Sequence, residues 1–327
     1  MDGPPPGGVR RNLERDALIN VLLVAEESAG VQVLRGLGRS PHRIVTVLTQ
    51  PPTRGGGATV ASVARTLDVP VLPSAAVRDP ELAGFIAHHR VDVLLNVHSL
   101  FLVNPEVVGA PRIGSFNLHP GPLPEYAGLN APSWAIYHGE RSHAVTVHWM
   151  DPEIDAGQIA YEAPFDISED DTGLSVSAKC VRHGLPLVER LLEVAIADPA
   201  AIPRLPQDIS RRQYFRRGEI PDGGRIVWSR SARRLVDLVR ACDYFPFPSP
   251  WREPLARLGE RELAVLKASR TRKPSDARPG TVRRAEGDAV AVATGDEWIL
   301  VHRVRLNGRP VPAAEVLDPG DRLADGA

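Results

Sequence analysis

The sequence predicts an α/β protein: a doubly wound, mostly parallel sheet, then a linker, then a small C-terminal β-barrel. Three observations carry this expectation. Short β-branched apolar runs alternate with helical patterns up to about residue 195, as strand–helix–strand crossovers require. A Pro- and Arg-rich stretch, 196–224, then breaks the alternation and reads as a surface linker. From Gly280 short alternating segments take over, with Asn307-Gly308 as a tight hairpin turn. The expected boundaries are a disordered tail over 1–17, a first domain over 18–197, a linker over 198–230 and a second domain over 231–327.

The elements follow in order. Ile19–Val24 is a short, β-branched apolar run and reads as a buried strand. A helical pattern around Val31–Leu37 leads to a second strand, Ile44–Leu48. Thr49–Ala58, with Pro-Pro and Gly-Gly-Gly, is a loop. Val60–Leu67 reads as a helix, Val71-Leu72 as a short strand, and Pro80–His89 as a helix capped by Asp79. Val93–Val97 and Gly114–Asn117 are further strands, and in such a sheet the functional loops lie beyond strand carboxyl ends. Ala131–His138 is a helix. Ala144–Trp149 and Gln158–Ala163 form a strand pair around a turn at Asp155. Leu174–Ala195 places Leu174, Ala178, Val181, Leu185, Val188 and Leu192 at alternating spacings of four and three. That is a long amphipathic helix, capped by Asp171 or Thr172. Ser231 caps a helix over Ala232–Ala241, and the proline-rich Asp243–Trp251 cannot be regular structure. Thr281-Val282, Val290–Thr294 and Trp298–Arg305 are the expected barrel strands.

Composition narrows the class. The chain has 327 residues, a net charge of −1 and 43% apolar residues, which suits a soluble protein with a sizeable core. It holds no apolar stretch of about 18 residues, so no membrane span is expected. No apolar signal region precedes Asp16. Two cysteines, Cys180 and Cys242, are too few for a disulfide framework and suit a reducing cytoplasm. No Cys/His cluster has zinc spacing, and no metal is expected. The charge is uneven: acidic residues are in excess up to residue 200 and basic residues after it. Solvated arginines account for that excess, or it could meet a polyanion such as tRNA.

The chemistry concentrates in 114–158. Asn117 and His119 stand two apart at the end of an apolar run, so in a strand they point to the same face. Pro120, Pro122 and Pro124 then stop the ladder and stiffen the loop. Asp155 lies in an Asp-Ala-Gly turn at the end of the next apolar run. An amide, an imidazole and a carboxyl on neighbouring loops can stabilise an oxyanion and move a proton, which is the chemistry of acyl transfer. Each has a blander alternative: Asn117 bonding its own turn, His119 structural, Asp155 stabilising the turn. His148, beside Trp149, is a possible lining residue without assigned chemistry. The glycines after Arg54 lack the spacing of a phosphate loop, and Glu26 and Glu27 after the first strand would repel a phosphate.

Asn117-Leu118-His119, Gly121-Pro122-Leu123-Pro124 and Asp155-Ala156-Gly157 together resemble the formyltransferases that use 10-formyltetrahydrofolate. Pro120 and Gly121-Pro122 depart from the family's commoner Ser-Leu-Leu-Pro-like loop and match a form used by some branches. Tyr214-Phe215, Pro221–Gly224, Ile226-Val227-Trp228 and Pro279–Val282 resemble the linker and barrel opening of methionyl-tRNA and sugar-nucleotide formyltransferases. The resemblance implies a Rossmann-like catalytic domain and an OB-like second domain. It implies Asn117 as oxyanion donor, His119 as proton acceptor or imidazolium, and Asp155 as the residue that orients His119 or relays the proton through water. It implies a pterin pocket lined by Leu100, Phe101, Leu102 and Val103. Further folate contacts would come from Gly121, Pro122, Leu123, Pro124 and the Asp151–Ile154 backbone, with Asp151 and Ile154 at its ends.

The resemblance implies formyl transfer from 10-formyltetrahydrofolate, through a tetrahedral intermediate, to a primary amine or hydroxylamine. Thr49–Gly57 carries one cation and lacks the basic loop of methionyl-tRNA formyltransferases. The stretch Glu125–Ile136 looks more like branches acting on small or carrier-bound amines in natural-product pathways. The expected acceptor is therefore a small or carrier-bound amine. Methionyl-tRNA is the alternative, reached through the basic C-terminal part, and a non-catalytic nucleotide- or RNA-binding module is a further one.

Overall fold

The computed structural model of the chain describes residues 18–51 and 57–325. The expected N-terminal tail and most of the glycine-rich part of the 49–58 loop lie outside the described residues. Contacts divide the chain into two compact units. Among the described residues one comprises 18–119, 147–161 and 185–206, and the other 120–146, 162–184 and 207–325.

The first unit opens with β1 (Asn20–Ala25), α1 (Glu27–Leu37), β2 (Arg43–Thr49), α2 (Val60–Thr66) and β3 (Val71–Pro73). It continues with α3 (Glu81–His88), β4 (Val93–Val97), α4 (Pro105–Gly109) and β5 (Gly114–His119). Helices α2 and α3 begin where the sequence provides acceptors for free N–H groups. Thr59 and Ser62 form a reciprocal capping box on α2, and Asp79 Oδ1 accepts from the Glu81 amide at 2.9 Å. The core is made by Leu22, Val24, Leu48, Ile86, Leu94 and Val107, all buried.

Strand order along the sheet is β3-β2-β1-β4-β5, and these five strands all pair in parallel. The order reverses between β1 and β4, which makes their carboxyl ends the switch point where such sheets hold ligands. Register there is exact across three strands: Ala25 pairs with Val97, Val97 with Leu118, and Asn96 with Asn117. The sheet continues through β7 (Ser142–Trp149) and β8 (Ile159–Asp166). β5 runs to His119, two residues past its expected end, so Asn117 and His119 do share a strand face.

The second unit holds β6 (Ala127–Gly128), α5 (Ala131–His138), the first part of α6 (Gly173–Ala197), β9 (Tyr214–Phe215) and α7 (Ala232–Cys242). Trp134 stacks on Phe215 and meets Trp251 edge-on, at centroid distances of 4.5 and 4.6 Å. Ser133 reaches the Ala241 carbonyl at 2.9 Å and ties α5 to α7. The rest is an antiparallel sheet of β10 (Leu255–Leu258), β11 (Arg261–Pro274), β12 (Val282–Arg284), β13 (Val290–Ala293), β14 (Glu297–Leu306), β15 (Arg309–Pro312) and β16 (Leu323–Ala324). Its ends approach each other through a Thr281–Arg322 bridge, so the sheet curls as a small barrel does. A Cβ on Gly280 would run into the Leu323 carbonyl there.

The barrel begins earlier than the sequence pattern suggests. β10 and β11 precede Gly280, and β11 is the longest strand, at 14 residues. Its apolar alternation is hidden because the pairing with β14 shifts register three times. Bulges of this kind interrupt the two-residue period on which strand recognition rests. Among the described residues no helix is long and apolar enough to cross a membrane.

Candidate active site

The carboxyl end of β5 gathers the three residues singled out from sequence. Asn117 and His119 come from β5 itself. Asp155 comes from the turn after β7, in a left-handed conformation with φ +53°. That turn is fixed by Gly157, where any Cβ would run into the Trp149 carbonyl. The Met150 amide also donates to the Ser115 carbonyl at 2.8 Å, tying the end of β7 to β5. His119 and Asp155 are 3% and 8% exposed. His119 Nδ1 lies 3.5 Å from Asp155 Oδ2, and Asn117 Nδ2 donates to Asp155 Oδ1 at 3.3 Å.

Two further residues complete the cluster. His148, near the end of β7, is buried with Nε2 3.0 Å from Asn117 Nδ2 and 3.4 Å from Asp155 Oδ1. Its Nδ1 is 2.8 Å from the Trp149 carbonyl. A carbonyl only accepts, so Nδ1 carries a proton, and with Nε2 unprotonated that nitrogen accepts from the Asn117 amide. Asn96, on β4, donates from Nδ2 to Asn117 Oδ1 at 2.9 Å. The Asn117 amide is thereby oriented: oxygen toward Asn96, nitrogen toward His148 and Asp155. Each Asp155 oxygen faces one imidazole. Sequence reasoning gave His148 no chemistry and overlooked Asn96. The available signal was the same for both, a polar side chain inside an otherwise apolar strand end.

This arrangement can hold negative charge with the Asn117 amide, and one such donor is worth about 3 kcal/mol of barrier. It can also move a proton through His119, with Asp155 fixing the ring and balancing its positive charge.

At the neighbouring strand ends lie two carboxylates. Glu26 accepts from Thr49 Oγ1 at 3.1 Å and from the Gln50 amide at 2.9 Å. Glu27 faces His98 Nδ1 at 3.4 Å, both residues having left-handed backbones. The hydrogen bond from His98 holds the Glu27 carboxyl below its ordinary range.

The residues expected at the folate divide into two groups. Leu100 and Leu102 are 51% and 62% exposed. Phe101 and Val103 instead pack against the core of the first unit, with the Arg78 guanidinium over the Phe101 ring at 4.6 Å. Asp151 is exposed, and its Oδ1 accepts from the Glu153 amide at 3.2 Å; Ile154 is exposed too. Gly121, Pro122, Leu123 and Pro124 belong to the second unit. There the Gly121 carbonyl accepts from Thr146 Oγ1 at 2.8 Å and the Pro122 carbonyl from the Tyr126 amide at 2.9 Å. Leu123 is buried.

Known proteins share both sequence and fold with this chain. Residues 19–187 match the formyl transferase family, and residues 220–319 match the formyl transferase C-terminal domain. A methionyl-tRNA formyltransferase of Anaeromyxobacter dehalogenans is 32% identical over 319 residues, covering 93% of this chain and 97% of the relative. Among solved structures, an N-formyltransferase of Helicobacter canadensis, in complex with folinic acid and dTDP-3-aminofucose, superposes with a TM-score of 0.67. It is 17% identical, and the match covers 87% of this chain and 99% of that one. WlaRD, a sugar 3N-formyl transferase, superposes with a TM-score of 0.68 at 15% identity, over 89% of this chain and 99% of its own. The two family matches and the relative aligned over nearly its whole length show that the chain belongs to the formyl transferase family.

Proposed function

We propose that the protein transfers the formyl group of 10-formyltetrahydrofolate to a primary amine or hydroxylamine on a small or carrier-bound acceptor. The observation that carries this reading is the buried cluster of Asn117, His119, His148 and Asp155, which joins an amide donor to a proton-accepting imidazole. In the reaction the acceptor nitrogen attacks the formyl carbon and the carbonyl oxygen becomes an oxyanion. The bond from the formyl carbon to N10 then breaks, and the proton shed by the acceptor nitrogen ends on N10. Asn117 Nδ2 donates to the oxyanion. His119 takes the proton from the attacking nitrogen and passes it on, while Asp155 holds the ring in place. The apolar surface of Leu100 and Leu102 suits a pterin face, and the Asp151–Ile154 backbone suits its polar edge. The cytoplasm, where folate and amine acceptors meet, is the proposed setting.

Glu26 and Glu27 at the end of β1 support the small amine, because they suit a cationic acceptor and oppose a phosphate-rich one. One observation favours methionyl-tRNA as a second reading: the curated relative of that name aligns over nearly its whole length. The test is release of tetrahydrofolate from 10-formyltetrahydrofolate with a panel of amines, amino acids, amino sugars and methionyl-tRNA. Faster turnover with a small or carrier-bound amine is expected. Faster turnover with methionyl-tRNA reverses the ranking, and no turnover with any acceptor removes the proposal.

A further inference from the structure

We infer that Asn96 is a positioning residue that sets which way the Asn117 amide points. β4 lies between β1 and β5, and its five residues, Val-Leu-Leu-Asn-Val, are all buried. Asn96 is the one polar side chain among them and is 7% exposed. Its Nδ2 donates to Asn117 Oδ1 at 2.9 Å. Its own Oδ1 is buried and has no hydrogen-bond partner among the described residues. A buried amide with one end unsatisfied costs stability, and an apolar residue in this strand would cost none. An expense of that kind in a central strand points to a role outside folding.

The role follows from the neighbours. An amide fits its volume in two orientations that differ by exchange of O and N. In the observed orientation both Asn117 hydrogens face acceptors, His148 Nε2 and Asp155 Oδ1. During formyl transfer one of those hydrogens must turn to the oxyanion, which weakens the hold from that side. Asn96 grips the opposite end and keeps the amide from turning over. Its hydrogen bond also polarises the Asn117 amide and sharpens it as a donor.

The inference rests on the formyl-transfer reading only for its kinetic arm. Full-length Asn96→Ala and Asn96→Asp variants are compared with the unaltered protein. They are assayed with 10-formyltetrahydrofolate and the best acceptor of the panel, and by the ¹⁵N resonances of the Asn117 amide and His148 ring. Asn96→Ala should lower kcat about tenfold, with KM for the folate unchanged and thermal stability equal or higher. Asn96→Asp keeps the shape but replaces the donor with an acceptor, so at pH 8 it should be the slower of the two. As pH falls its carboxyl gains an O–H that can donate to Asn117 Oδ1, and its rate relative to the unaltered protein should recover. The titratable groups facing this spot are His119 on β5, His148 on β7 and Asp155 in the turn, with Glu27 and His98 at the ends of β1 and β4. Dividing by the unaltered protein's profile removes their shared contribution. The Asn117 amide resonances should move in Asn96→Asp even if no acceptor is turned over, which separates this inference from the choice of reaction. Asn96→Asp faster than Asn96→Ala at pH 8, or Asn117 resonances unchanged in both, would overturn it.

Discussion

Asp155 and Asp171 are buried to nearly the same degree, at 8% and 6% exposure, yet their partners differ in kind. Asp171 opens α6. Its carboxylate faces Lys179 Nζ at 2.5 Å, the Ser168 amide at 2.7 Å and the Ser175 hydroxyl at 2.7 Å. A lysine, a backbone N–H and a hydroxyl all donate, and together they hold a charge that stays put. Asp155 faces two imidazoles and the Asn117 amide. An imidazole can donate or accept a hydrogen bond, so this second carboxylate sits among groups able to pass a proton. Burial alone thus does not distinguish these two aspartates; the chemistry of their partners does.

Breaking the cluster around Asp155 should give the largest effect. His119→Ala should lower kcat about 10³-fold, within the range expected for removing a proton-transfer group. Asp155→Asn should cost about 10²-fold, because the amide still fills the turn but no longer balances an imidazolium. Thermal midpoints of both should stay close to the unaltered protein. A fall in midpoint that parallels the lost activity would make Asp155 a second Asp171 and erase the contrast.

The complementary break lies in the barrel. Ile299 is buried in the β14 face against Val292 and Val301. Ile299→Ala should cost about 3 kcal/mol of stability through lost burial and the cavity left behind. Denaturant unfolding measures it, and kcat per folded molecule should not move. A proportional loss of kcat would show that the second unit takes part in the chemical step.

Both kinds of region left traces in the sequence, unequally. The alternating strands and helices of the first unit were legible because each β-branched run is short, unbroken and bounded by turn residues. Asn117, His119 and Asp155 were legible because the two-residue strand period and the Asp-Ala-Gly turn place them by local rules alone. His148 and Asn96 were not, since their roles depend on which strands lie side by side, and no single run of residues records that order. β10 and β11 were missed for another reason: bulges disrupt the period by which a strand is recognised. Phe101 and Val103 alternate with Leu100 and Leu102, a pattern that sorts core from surface only once the strand before them is placed.

The smallest effect tests the comparison at its structural end. Burial pushes the Asp171 carboxyl up, but the Lys179 ammonium and the hydrogen bonds from Ser168 and Ser175 outweigh it and hold the group at about 2. A carboxyl depressed below its unfolded value, about 3.9, stabilises the fold above that pH and loses the contribution as pH falls through its folded value. The unaltered protein should therefore lose stability between about pH 4 and pH 2 through this group. Asp171→Asn should flatten that limb, and at pH 7 it should cost about 2 kcal/mol, the linkage value of that depression. Equilibrium unfolding across that pH window reads both. If the acid limb of Asp171→Asn keeps its full slope, the donors around Asp171 do not hold its charge. The contrast with Asp155 would then rest on kinetics alone.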